Sequence, residues 1–172
     1  MTVASALARI PVGVMVERRK AASPWIDVVW RPVGVLAGAP ETAPWTMLES
    51  GKDRATFYAG AAEIALYRSE TGHYRDNLAS GRPSVWVSLR PTGVEPPFEI
   101  VAVTADPAEG ESFTQAGDDL VEAVPMPQAV CAIVEAFVAE HHVERPFVKR
   151  KRERADPQAL ARRVPLGKDQ RR

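Results

Sequence analysis

Few residues in this chain have the chemistry to hold a metal or attack a substrate: His73, His141, His142 and the lone cysteine Cys131. His141 and His142 are adjacent, so on a helix their side chains diverge by about 100°, whereas zinc ligands sharing a helix sit three or four residues apart. No spacing ties His73 or Cys131 to them, and no metal site is expected. In the last turn of a helix the two histidines instead suit the negative end of the dipole. Cys131 lies between Val130 and Ala132, the setting of a packed, inert thiol, and no G-x-S-x-G elbow occurs. Asp118 and Asp119 form the nearest thing to a carboxylate pair. Adjacent acids after Gly117 read as solvated turn residues, with nothing placed opposite them. A phosphate cradle needs a glycine-rich loop between strand and helix. "LAGAPETAP" at 36–44 has no lysine and two prolines, so no nucleotide site, catalytic residue or cofactor is expected.

Recognition has stronger material. "EHHVERPFVKRKRERADP" at 140–157 runs into a segment, residues 145–172, holding 11 Lys/Arg against 3 Asp/Glu. Residues 1–144 hold 11 Lys/Arg against 19 Asp/Glu, so an acidic body precedes a basic tail. Lys149, Arg150, Lys151 and Arg152 supply attraction for an acidic protein surface, and Phe147 supplies an apolar anchor. The same run could grip phosphates, but the body's negative charge opposes a duplex. Trp25, Trp30, Trp45 and Trp86 fall in separate segments. Trp30 and Trp86 could share one sheet face as a platform, with Arg31 and Arg90 as thin basic company; core packing is the ordinary role of such rings.

The elements that must position these residues are short. Fifteen prolines and eleven glycines in 172 residues favour frequent turns, and an apolar content of 45% suffices for a core. Residues 10–18, "IPVGVMVER", and 27–37, "DVVWRPVGVLA", read as strands, with Pro32 forcing an edge or bulge in the second. "WTMLESGKDR" ends in a turn, and 55–68 form one or two strands with a kink at Gly60. "SETGHYRDNLAS" is a short helical turn or loop that Ser69 could cap. Residues 84–90 and 98–104 make a hairpin, with Val85, Val87 and Leu89 on one face. Asp106, Pro107 and Glu109 have the pattern of a capping box opening a helix at 107–116, with Gly117 ending it. "DLVEAV" suits a last strand. Val130, Ile133, Val134, Phe137 and Val138 mark an amphipathic helix from Pro127 to about His142.

The expected fold is α+β: a mainly antiparallel sheet of five or six strands, a C-terminal amphipathic helix packed on it, and a basic disordered tail. The expected organisation is a flexible N-terminus at 1–8, one domain at 9–146 and the tail at 147–172. One cysteine excludes an internal disulfide and fits a reducing cytoplasm. The N-terminus lacks the pattern of a signal peptide, and no apolar run reaches the length of a membrane span.

"PWIDVVWRPVGVLAG", "NLASGRPSVWVSLR", "GDDLVEAVPMPQAV" and "FVAEHHVERPFVKRKRERADP" follow one another in this chain. Across residues 10–157 it resembles an uncharacterised family of small proteobacterial proteins. The most specific part is the order W-x-P-V, N-L-x-S, V-P-M-P, H-H-x-x-x-P-F-x-K-R-K-R. Members are commonly encoded beside molybdenum-dependent formate dehydrogenase genes, and some carry the label molybdopterin-guanine dinucleotide biosynthesis protein A. The glycine-rich loop of that activity is missing from "IPVGVMVERRK". The resemblance implies a non-enzymatic accessory or assembly protein in molybdoenzyme maturation, with formate dehydrogenase or one of its assembly factors as partner. A role in molybdenum cofactor handling, as enzyme or carrier, and nucleic-acid binding through the tail are the alternatives. It supplies no catalytic residue.

Overall fold

A valine-rich run with apolar residues at alternate positions needs a neighbour on each side, and the first strand finds both. In the computed structural model, which describes residues 5–115 and 117–144, β1 (Ala8–Lys20) pairs antiparallel with β2 (Val28–Ala37) and with β4 (Arg54–Leu66). Its Ile10, Val12, Val14 and Val16 are buried at the heart of the core. The sheet has seven strands in the order β2-β1-β4-β6-β5-β7, with β3 (Thr46–Ser50) added to β4 off this path. β6 is Phe98–Thr104, β5 is Ser84–Pro91 and β7 is Leu120–Pro125. The ends of the path, β2 and β7, come back against each other, so the sheet nearly closes into a barrel.

The expected mainly antiparallel sheet of five or six strands is a mixed sheet of seven, for two reasons. β3 is a strand, exposed along its whole length, where the sequence reads only as the approach to a turn. In addition, β4 and β6 run parallel, joined through Ile64 and Val103. The cause is the connection after β4: a 3-10 turn (Arg68–Glu70) and the helix α1 (Thr71–Ala79) carry the chain away. β5 therefore enters one place over, and β6 folds back antiparallel to it into the gap beside β4. Short turns still give antiparallel pairs elsewhere.

Irregularities fall at the residues that announce them. The β1–β4 register slips between Val14 and Met15, so Ala59 has no partner and Gly60 takes φ 144, which a side chain would resist. The β1–β2 register slips beside Pro32, which sits on the outermost strand of the path, where a missing N–H costs least.

The helices are locally encoded to different degrees. α2 (Pro107–Phe113) opens on Asp106, whose Oδ1 accepts the Ala108 N–H at 2.8 Å, and it ends before the expected residue 116. α1 is a helix of nine residues rather than a turn, and Ser69 does not cap it: its N-cap is Glu70, with no side-chain capping bond. Tyr74 and Asn77 anchor it instead. The Tyr74 hydroxyl accepts the Tyr67 N–H, and the Asn77 amide bonds the Ser84 backbone twice and the Ala105 carbonyl once. α3 (Gln128–His141) lies against α1 and buries Val130, Val134 and Phe137; Ile133, expected on the apolar face, is exposed. α2 lies on β5 so closely that a Cβ on Gly110 would run into the Trp86 ring. No helix among the described residues is long and apolar enough to cross a membrane. By contacts the chain divides into Met1–His142 and Val143–Arg172.

Candidate recognition surface

At one end of the sheet, strand register gathers side chains that the sequence keeps far apart. Arg18 on β1 stands between Trp30 on β2 and Ala55 on β4, while Phe57 on β4 stands between Val16 and Met47. The Arg18 guanidinium lies over the Trp30 ring, 5.8 Å from its centroid, and 5.6 Å from that of Phe57. Trp30 also meets Trp45 at 5.9 Å and Phe98 at 5.9 Å, both edge to face. Edge-to-face rings place a positive rim on a negative face, and a guanidinium over a ring uses the same quadrupole. Trp45 holds φ 65, an uncommon conformation for a residue with a side chain. Its backbone N–H donates to the Tyr58 carbonyl, which keeps it there.

Beside this half-buried cluster stand two exposed apolar residues, Val28 across from Lys20 and Met47 across from Phe57. Trp25 in the β1–β2 loop is 91% exposed, and Ile26, Val28, Val29, Met47 and Leu48 are exposed as well. Singly exposed apolar residues are ordinary; exposed apolar residues gathered beside an aromatic cluster make this end of the sheet the candidate recognition surface.

The two hairpin tips enclose a shallow cleft of about 760 Å³ lined by Arg19, Lys20, Ala21, Ala22, Gly51, Lys52, Asp53 and Arg54. The Lys20 N–H donates to the Asp53 carbonyl at 2.8 Å and ties one tip to the other. Arg19 and Arg31 are held by buried Glu17, at 3.1 and 3.4 Å, and Arg54 approaches Glu49 at 3.9 Å. Arg18, Lys20 and Lys52 have no carboxylate partner among the described residues. Their charge is available to an incoming group.

The residues singled out by type fall elsewhere. Phe147, Lys149, Arg150, Lys151 and Arg152 lie outside the described residues. Trp30 and Trp86 form no shared platform: Trp30 belongs to the aromatic cluster, and Trp86 covers Gly110. Arg31 is held by Glu17, and Arg90 makes a two-pronged bond to Asp119, both arms at 3.0 Å, so that acid serves structure. His141 packs its ring on Phe137 at 4.5 Å. His142 Nε2 accepts from Arg75 at 3.0 Å, which puts the ring proton on Nδ1, where it donates to Thr71 Oγ1 at 3.1 Å. Burial pushes the Cys131 thiol up, away from the reactive thiolate. His73 stands apart from the other histidines, beside Glu70 and Asp106; the hydrogen bond its ring N–H donates to the Asp106 carboxylate raises its pKa above the ordinary value.

Sequence reasoning missed the Arg18–Trp30–Phe57 group, since only the register of three strands brings it together. The available signal was "VERRK" beside a strand containing tryptophan.

Comparison with known proteins gives one match. The family model described as "Protein of unknown function (DUF3305)" covers residues 11–151, and the chain belongs to that family. No curated protein and no solved structure matches it.

Proposed function

We propose that this DUF3305 chain is a non-enzymatic accessory protein that recognises an acidic surface, studded with apolar side chains, on a protein partner. The observation that carries the reading is the placing of Arg18, Lys20 and Lys52, without carboxylate partners among the described residues, near exposed Val28 and Met47. Residues 1–144 carry 19 acidic side chains against 11 basic ones, so a cationic end is a local reversal. Such a patch speeds encounter with an acidic partner, while buried aromatic and apolar contacts supply most of the affinity. Phe147 and the run Lys149–Arg152 extend the same chemistry. The resemblance to proteins encoded beside formate dehydrogenase genes makes the apo form of that molybdoenzyme, or one of its assembly factors, the partner to try first.

The test uses the full chain and purified formate dehydrogenase apoenzyme. Wild type is expected to bind, with affinity falling as salt rises. The double variant Lys20→Glu/Lys52→Glu is expected to weaken binding roughly tenfold or more without changing the melting temperature. Equal binding by wild type and variant would remove this surface from the reading. Removing residues 147–172 in a parallel arm measures the share of the basic segment.

A further inference from the structure

We propose that Glu70, His73 and Asp106 form a binding site for one divalent transition-metal ion of the zinc type. Glu70 closes the 3-10 turn before α1 and His73 lies in the first turn of that helix, so an i, i+3 spacing puts both on one face. Asp106 comes from the junction of β6 and α2, 33 residues further along. The His73 Nδ1 atom lies 3.0 Å from Asp106 Oδ1, 3.1 Å from Asp106 Oδ2 and 3.2 Å from Glu70 Oε2.

That arrangement has more acceptors than protons. A single N–H on Nδ1 faces three carboxylate oxygens and can serve one well. Two acids from separate elements converge on this nitrogen, and donor atoms of all three side chains lie within 4.8 Å of one another. Zinc ligands about 2.1 Å from the ion and tetrahedrally disposed stand about 3.4 Å from each other; Nδ1 lies 3.0 Å from Asp106 and 3.2 Å from Glu70, so a small outward adjustment of the partly exposed His73 and Glu70 side chains would admit the ion. An ion among the three groups would take the place of the shared proton and neutralise both carboxylates.

The frame for such a site is already fixed. Asp106 is buried, and its Oδ1 is oriented by the Ala108 N–H while the residue's own N–H donates to Thr104 Oγ1 at 3.1 Å. Hydrogen bonds of this kind orient metal ligands and preset their direction. His73 is about half exposed and Glu70 partly so, leaving the outer side open for water or an external ligand to complete the coordination. One imidazole nitrogen with two carboxylates favours zinc, iron(II) or manganese over calcium and magnesium, which take oxygen ligands. No residue of the cationic cleft takes part, so the site stands or falls independently of partner recognition.

The experiment titrates chelator-treated full-length protein with zinc chloride by calorimetry, then with cobalt(II) chloride followed by visible absorption. Wild type is expected to take one equivalent of zinc, to raise its melting temperature with it, and to give a cobalt spectrum that zinc displaces. His73→Ala and Glu70→Gln, both at partly exposed positions, should each weaken zinc roughly tenfold or more and lose the cobalt bands. Cys131→Ser and His142→Gln should change neither. The proposal is overturned if zinc does not bind, if His73→Ala binds as wild type does, or if only the Cys131 or His142 variant loses the ion.

Discussion

The end of the sheet near the hairpin tips and the half made of β5, β6 and β7 solve the same problem in opposite ways. The latter half is clad by helix: α2 lies on all three strands over the Trp86 face, while Val85, Val87 and Leu89 on the other face of β5 are fully buried in the core. At the tips, apolar side chains of β2 and β3 face outward, and an arginine rather than a helix covers the aromatic cluster. In the clad half, buried polar groups depend on protein partners, as Asn77 does, with the Ser88 hydroxyl left without one among the described residues. At the tips, water serves, and side chains are free to be chosen for what they meet. Substitutions should therefore cost stability in the first region and recognition in the second.

The sharpest break in the comparison is at Asn77. Its amide nitrogen donates to the Ser84 carbonyl at 2.8 Å and the Ala105 carbonyl at 2.9 Å, and its oxygen accepts the Ser84 N–H at 3.0 Å. One side chain thus closes the start of β5 and the end of β6 against α1. Asn77→Ala strands three backbone groups in the interior, each at about 1–3 kcal/mol. A loss of at least about 3 kcal/mol in urea unfolding is expected. A loss near zero would mean that water already reaches this corner.

Tyr74 sharpens the contrast through pH. Burial pushes its hydroxyl up to about 12 from an ordinary 10.0. A raised folded-state pKa gives stability that is complete below the unfolded value and lost as pH rises through the folded one. Between about pH 10 and pH 12 wild type should lose roughly 2–3 kcal/mol that Tyr74→Phe does not lose. At neutral pH the variant gives up only the bond to the Tyr67 N–H, about 1 kcal/mol. Melting curves of the two proteins across this range should converge or cross as pH rises; parallel curves would place the hydroxyl in contact with solvent.

The same division explains what could be read from the residues alone. Asp106 and Pro107 start α2 by bonds within one turn, so the element is visible in four letters of sequence. Val85, Val87 and Leu89 alternate because one face of β5 is interior. α1 gives no such pattern: its apolar face is thin, and its stability comes from Tyr74 and Asn77 reaching distant backbone. β3 is exposed throughout and owes its extended state to pairing with β4. The parallel step between β4 and β6 follows from α1, so reading that segment as no more than a short helical turn or loop hid the step. Glu70 and His73 stand at a ligand spacing in plain view, but their convergence with Asp106 depends on how β6 meets α1. A search restricted to histidine and cysteine patterns passes over it.

The smallest effect on stability is expected where the comparison predicts the largest effect on binding. Met47 and Leu48 are 50% and 48% exposed on β3, which among the described residues pairs with β4 alone. Replacing each by Ser removes apolar surface that the folded protein leaves in water, so the midpoint of unfolding should move by no more than about 0.5 kcal/mol. If these side chains are kept for a partner, Met47→Ser/Leu48→Ser should weaken recognition of the acidic partner while leaving the salt dependence supplied by Lys20 and Lys52 unchanged. Charge reversal of those lysines should also weaken recognition but, unlike the serine pair, flatten the salt response. A stability loss of several kcal/mol from the serine pair would show that the apolar surface is packed within the fold. The contrast between the two regions would then be one of degree.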